Sequence, residues 1–152
     1  MLKRFLAYSV VALVSCTAVG AESDTRFAIL PASEGRAAID QCSRSAPEHV
    51  THFWRPILAQ VEAAEKALPA FLHAQGHKDW LRASFRQYVG VVVAGRRLIY
   101  LNAFPAPTPG TADARDARTK AYVVCDGGSS FWGAEFDPAT GRFQHLDSNG
   151  VA

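Results

Sequence analysis

The chain has 152 residues, 16 Lys and Arg against 14 Asp and Glu, and 49% hydrophobic residues. That apolar content supports a packed core and excludes a disordered chain. The near balance of charge excludes the basic footprint of a nucleic-acid binder.

The first element is an export signal. Lys3 and Arg4 precede an apolar run, Phe5 to Val14, broken only by Ser9. At about ten residues the run is too short to cross a bilayer, which takes about 20. Its length and flanks match the charged and apolar regions of a secretory signal over residues 1–21. Two processing readings stay open. Val19-Gly20-Ala21 offers small residues for signal peptidase and a mature start at Glu22. Leu13-Val14-Ser15-Cys16 resembles a bacterial lipobox, in which Cys16 is lipidated and becomes the first residue. The expected location is periplasmic or secreted, with membrane attachment only through a lipid on Cys16. Taking the segment's two cations from the 16 leaves 14 cations against 14 acids, so the slight basicity belongs to the signal. Residues 22–152 are of a size for one domain.

Two cysteines then remain, Cys42 and Cys125. In an oxidising compartment they predict a disulfide. The competing readings are two buried thiols, or a nucleophilic Cys125.

Residues 22–32 read as extended. Ser33 is placed to cap a short helix over 36–43, in which Ala38, Ile39 and Cys42 share a face. Ser45-Ala46-Pro47 ends it. Pro56 suits the first turn of the main helix. Its apolar stripe is Ile57, Val61, Ala64, Leu68, Phe71 and Leu72. Pro69 is expected to bend or shorten it, and Gly76 to terminate it. Trp54 is positioned to pack under the helix start. Arg86 to Val93 and Arg97 to Phe104 form a hairpin about Ala94-Gly95. Residues 105–119 have the composition of a flexible loop. A strand over 121–125, a turn at 126–130, and a hairpin of 131–136 with 142–147 about Asp137–Gly141 complete the chain. The order predicts an α+β domain, its main helix packed on a four- to five-stranded antiparallel sheet.

The chemistry-bearing signals are sparse. His73 and His77 are four apart, but Gly76 ends the helix between them. His49 and His52 have no third ligand in view, so no metal and no cofactor is expected. Cys125, Asp126 and His145 are the residues a thiol enzyme or small hydrolase would use. Gly127-Gly128-Ser129-Ser130-Phe131-Trp132 is the most unusual stretch. Its glycines permit close backbone approach, and Phe131 and Trp132 point to opposite faces. Gly127, Gly128, Phe131 and Trp132 are therefore candidate partner-binding residues; the alternative is a bulge with two core aromatics.

Val91-Val92-Val93-Ala94-Gly95, followed by Leu98-Ile99-Tyr100, resembles the first inhibitory hairpin of the cystatins. That family inhibits cysteine proteases and wraps a helix in an antiparallel sheet. The match covers about ten residues. Val91 stands where the family's motif has Gln, and the Asp137–Gly141 turn lacks the Trp of its second loop. The Cys-Asp-Gly-Gly and Phe-Trp-Gly stretches resemble those of small exported bacterial proteins of no assigned activity. The expectation is a non-enzymatic exported domain that binds an envelope protein, inhibitor-like. The alternatives are the thiol enzyme or hydrolase at Cys125 and His145, and a structural lipoprotein held by Cys16.

Overall fold

The computed structural model describes residues 26–151. The signal segment, both processing readings and Cys16 lie outside the described residues.

Six strands form one sheet: β1 (Phe27–Ile29), β2 (Val50–Trp54), β3 (Ser84–Val93), β4 (Arg96–Pro105), β5 (Trp132–Asp137) and β6 (Arg142–Ser148). The central ladder is the predicted hairpin, β3 with β4, in register from Ser84↔Pro105 to Val93↔Arg96. β5 pairs with β4 and β6 with β5, all antiparallel. Two strands lie beyond the expected set. β1 pairs parallel with the first half of β3, and β2 antiparallel with the second half, so they share one edge. The fold is α+β, with helices on a mostly antiparallel sheet.

The main helix, α2 (Leu58–Ala74), covers one face. Val61, Ala64, Leu68 and Leu72 are fully buried at spacings of three and four. They meet Tyr88, Ile99, Leu101, Trp132 and Phe136, one alternating set of strand residues. Burying each Leu contributes roughly 1.5–3 kcal/mol. The Gln60 side-chain oxygen accepts from Ile57 N–H at the helix start. Pro69 does not shorten α2, which continues to Ala74; the backbone then turns left-handed at Gly76 (φ 81°). Trp54 packs in this core over Gly90, where any Cβ would overlap the indole. Glu65 anchors α2 to β3 by accepting from Arg86 Nε and Nη2 (2.7 and 2.9 Å) and from the Tyr88 hydroxyl (2.7 Å). A four-residue helix, α3 (Trp80–Ala83), leads into β3.

The other face is covered irregularly. A 3-10 turn (Ala32–Glu34) and α1 (Gly35–Ile39) place Leu30, Ala38 and Ile39 against Val89, Val91, Leu98 and Tyr100. The helix is shorter than the predicted 36–43, and Ser33 lies inside the 3-10 turn without capping it. The loop after β4 contains a short helix, α4 (Ala112–Asp116), started by the Thr111 hydroxyl accepting from Ala114 N–H.

The predicted strand 121–125 is absent. The segment has no regular secondary structure and joins no strand. β4 already has a neighbour on each side, so no edge is open to it there. It lies across the sheet face instead, and buried side chains bond its backbone. Gln87 donates to the carbonyls of Ala117 (2.8 Å) and Lys120 (2.6 Å) and accepts from Tyr122 N–H (2.9 Å). Asn102 donates to Tyr122 O (2.8 Å), and Asn149 to Val124 O (2.6 Å) and Asp126 O (2.9 Å). The predicted Cys42–Cys125 disulfide forms, with Cα atoms 4.9 Å apart, and fixes this strap to the end of the α1 region.

Candidate functional site: the cleft at the hairpin end

Both hairpin turns emerge at the same end of the sheet. The β3–β4 turn has φ of 49° at Ala94 and 77° at Gly95, the left-handed pair of a type I′ turn. Asp137, at the end of β5, accepts from Arg96 at 2.7 Å and ties the second turn to the first. That guanidinium, helped by the Ala139 N–H, holds the Asp137 carboxyl below the usual carboxylate range. Between β5 and β6 the register shifts from Gly133↔Asp147 to Glu135↔Gln144, and His145 takes a left-handed backbone (φ 52°) in the bulged β6 segment opposite. Residues 45–49 pass in front of this end, and His49 is left-handed as well (φ 54°).

Between that segment and the strands lies a cleft of about 430 Å³. His49, Ala94 and His145 all line it, and they are the only non-glycine residues with positive φ among the described residues. Such conformations cost roughly 1–2 kcal/mol each and gather where a site requires them. The floor is a cross-strand row, Tyr100 opposite Glu135 and Glu135 opposite Gln144. Glu135 is 7% exposed, and its Oε2 accepts from Gln144 Nε2 and from His145 Nδ1, both at 3.0 Å. The carboxylate thus orients an imidazole that is itself largely exposed at the mouth. Burial pushes the Tyr100 hydroxyl up from its ordinary value, against the Arg44 guanidinium, whose Nε donates to it at 3.2 Å. Pro47 and Leu98 supply apolar wall. A polar floor with apolar walls is the usual composition of a ligand cleft. A second cleft of about 410 Å³ lies on the other side of residues 45–49, lined by Arg36, Gln41 and Arg44 among others.

Of the thiol-enzyme and partner-binding candidates from the sequence, His145 alone lines this cleft. Cys125 is joined to Cys42, so in this state it offers no thiolate, and the side chain bonded to His145 is Glu135. Trp132 is 1% exposed, packed in the helix-side core with its ring 5.6 Å from that of Trp80. It is a core aromatic, because the strand alternation turns it toward α2. Gly127 (φ 89°) is left-handed and lies against the Phe131 ring, and Gly128 is buried. Phe131 is half-buried on the opposite face, packed against Phe85, Phe104 and Ala117. The four residues Gly127, Gly128, Phe131 and Trp132 therefore do not make an exposed aromatic patch. His77 stacks on Trp80 at 3.8 Å, away from the cleft. Among the described residues no three His, Cys, Asp or Glu side chains come together as a metal site.

Glu135, His49 and Tyr100 were not read as site residues from the sequence. One signal was present: Glu135 interrupts an apolar strand at a position that must be covered. The strained backbone of His49 and His145 left no trace in composition or spacing.

Fold and site together define a small mixed α+β domain with a cleft where its hairpins end. No protein-family model matches the chain, and no curated protein and no solved structure matches it.

Proposed function

We propose that this is an exported domain that binds a protein partner, and that the partner engages the hairpin end of the sheet. The supporting observation is the convergence of His49, Ala94 and His145, the three left-handed non-glycine residues, on one cleft. Strain at three separated positions, directed at one place, marks a surface shaped for contact. Adjacent hairpin turns beside a cleft also suit an inhibitor that wedges into a partner. That is the part of the cystatin resemblance this reading retains.

A photo-crosslinking residue at position 94, and another at 139, tests this in the producing cells. Each should give the same single adduct, and a crosslinker at Lys66 on the outer side of α2 should give none. Adducts from position 66 equal to those from 94 and 139 would defeat the reading.

A second reading, proton transfer or hydrolysis at His145, is favoured by one contact, the 3.0 Å bond from Nδ1 to the buried Glu135. It leaves Nε2 open to a substrate. Purified protein without turnover on ester and amide substrates, or with turnover unchanged in His145→Gln, would dispose of it. A third reading, a structural lipoprotein held through Cys16, is decided by the intact mass of the mature N-terminus.

A further inference from the structure

The strap over residues 120–126 is attached in an unusual way. An extended segment on a sheet normally bonds a strand edge. Here the strap's backbone is bonded by side chains, and three of those are buried carboxamides: Gln87 (1% exposed), Asn102 (2%) and Asn149 (5%). The Glu34 carboxylate is a fourth such side chain, accepting from Ala121 N–H at 2.9 Å. These groups bond backbone atoms of the strap, so they would accept many sequences. One strap side chain has a specific seat: the Tyr122 ring stacks on Phe104 with centroids 4.3 Å apart. Tyr122 and Val123 are otherwise 40% and 41% exposed, unlike core residues.

The carboxamides are themselves held in place. Asn102 Nδ2 donates to Gln87 Oε1 at 3.0 Å, and Arg44 donates to Asn102 Oδ1 (2.6 Å) and Asn149 Oδ1 (2.8 Å). Arg44 is 8% exposed, yet among the described residues these contacts are all to neutral acceptors, Tyr100 being the third. A buried cation is costly unless its donors are used, so the guanidinium fixes the row of amides in one orientation. The covalent hold on the strap is the disulfide, and both of its cysteines are exposed.

We propose that this face is a binding site for an extended peptide carrying one aromatic residue, occupied in the oxidised protein by the chain's own strap, and that the Cys42–Cys125 bridge is the latch. A dithiol opens it by exchange. One thiolate attacks a bridge sulfur, the S–S bond breaks, and a mixed disulfide forms. The second thiol of the reagent then closes on the first. The dithiol leaves as a disulfide, and Cys42 and Cys125 become thiols. The strap is then held by hydrogen bonds, the Tyr122 stack and the packing of Ala121, and a second peptide can compete for the same donors and acceptors. The inference does not depend on the hairpin-end reading, since Gln87, Asn102, Asn149 and the strap do not line that cleft.

The probe is a fluorescein-labelled peptide of residues 119–126 carrying Cys125→Ser, titrated by polarisation against the whole protein. Binding should be undetectable to the bridged protein, measurable after dithiothreitol, and on the order of tenfold tighter to reduced Tyr122→Ala, which weakens the strap's own hold. Asn102→Ala in that reduced background should lose on the order of tenfold. Hydrogen exchange supplies the control: reduction should expose the Ala121 and Tyr122 amides while β3 and β4 stay protected. Loss of protection in strap and β3–β4 together would make the bridge purely structural and overturn the proposal. So would equal peptide binding before and after reduction, or none to reduced Tyr122→Ala.

Discussion

On one face of the sheet, α2 buries Val61, Ala64, Leu68 and Leu72 against strand side chains that alternate to meet them. On the other, the strap is held by Gln87, Asn102 and Asn149, themselves oriented by Arg44 or by one another, and by a disulfide. The first contact is driven by apolar area, which is non-directional and tolerates small changes of shape. The second is directional, since each amide must meet its own backbone atom, and removing one leaves others buried and unpaired. The helix face should therefore respond to mutation gradually, with stability tracking lost volume, and the strap face in steps.

The largest effect should come from the strap's covalent tie. Replacing Cys42 and Cys125 together by Ala removes a bridge across 83 residues, and loop-closure entropy sets the loss at about 4.5 kcal/mol. Urea unfolding of the variant against oxidised parent measures it. A loss below about 1 kcal/mol would mean the polar contacts alone secure that face. On the helix side, Leu68→Ala should cost roughly 3 kcal/mol through lost burial and the cavity left behind. Its denaturant midpoint should fall while strap exchange stays slow. Asn102→Ala should cost roughly 2 kcal/mol. It deprives Arg44 Nη2, Gln87 Oε1 and Tyr122 O of a partner at once, and strap amides should exchange faster well before those of α2.

Asp147 sharpens the comparison by pH. Its carboxyl is held below the ordinary value, chiefly by the Ser45 N–H at 2.7 Å. A depressed folded value means its stabilisation is complete above the unfolded value of about 4 and lost as pH falls through the lower, folded one. Thermal midpoints of Asp147→Asn should accordingly change less between about pH 5 and pH 2 than those of the parent. The smallest effect is a gain. Ala94→Asn should stabilise by roughly 0.5–1 kcal/mol, since Asn tolerates the left-handed backbone better than Ala. Unaltered stability there would remove the argument that Ala94 is strained.

The same contrast explains what could be read in advance. The stripe of α2, the β3–β4 hairpin and the β5–β6 hairpin follow from apolar periods of 3.6 and 2, which depend only on neighbours in sequence. The disulfide followed from cysteine arithmetic. The strap did not, because Ala121 to Val124 has the composition of a strand and only competition for sheet edges decides otherwise. Trp132 was placed on the correct strand, but which face was open to solvent depended on where α2 packed. The short strands β1 and β2 carried too few residues to show a period.

For the cleft, the sequence by itself supplied His145 on its strand and Ala94-Gly95 in a two-residue turn. Tertiary structure alone brought Glu135 beneath His145, set His49 across from both, and paired Asp137 with Arg96. Strand pairing and the passage of residues 45–49 make these contacts, and a buried carboxylate acquires its role from the groups that surround it, which no local pattern encodes.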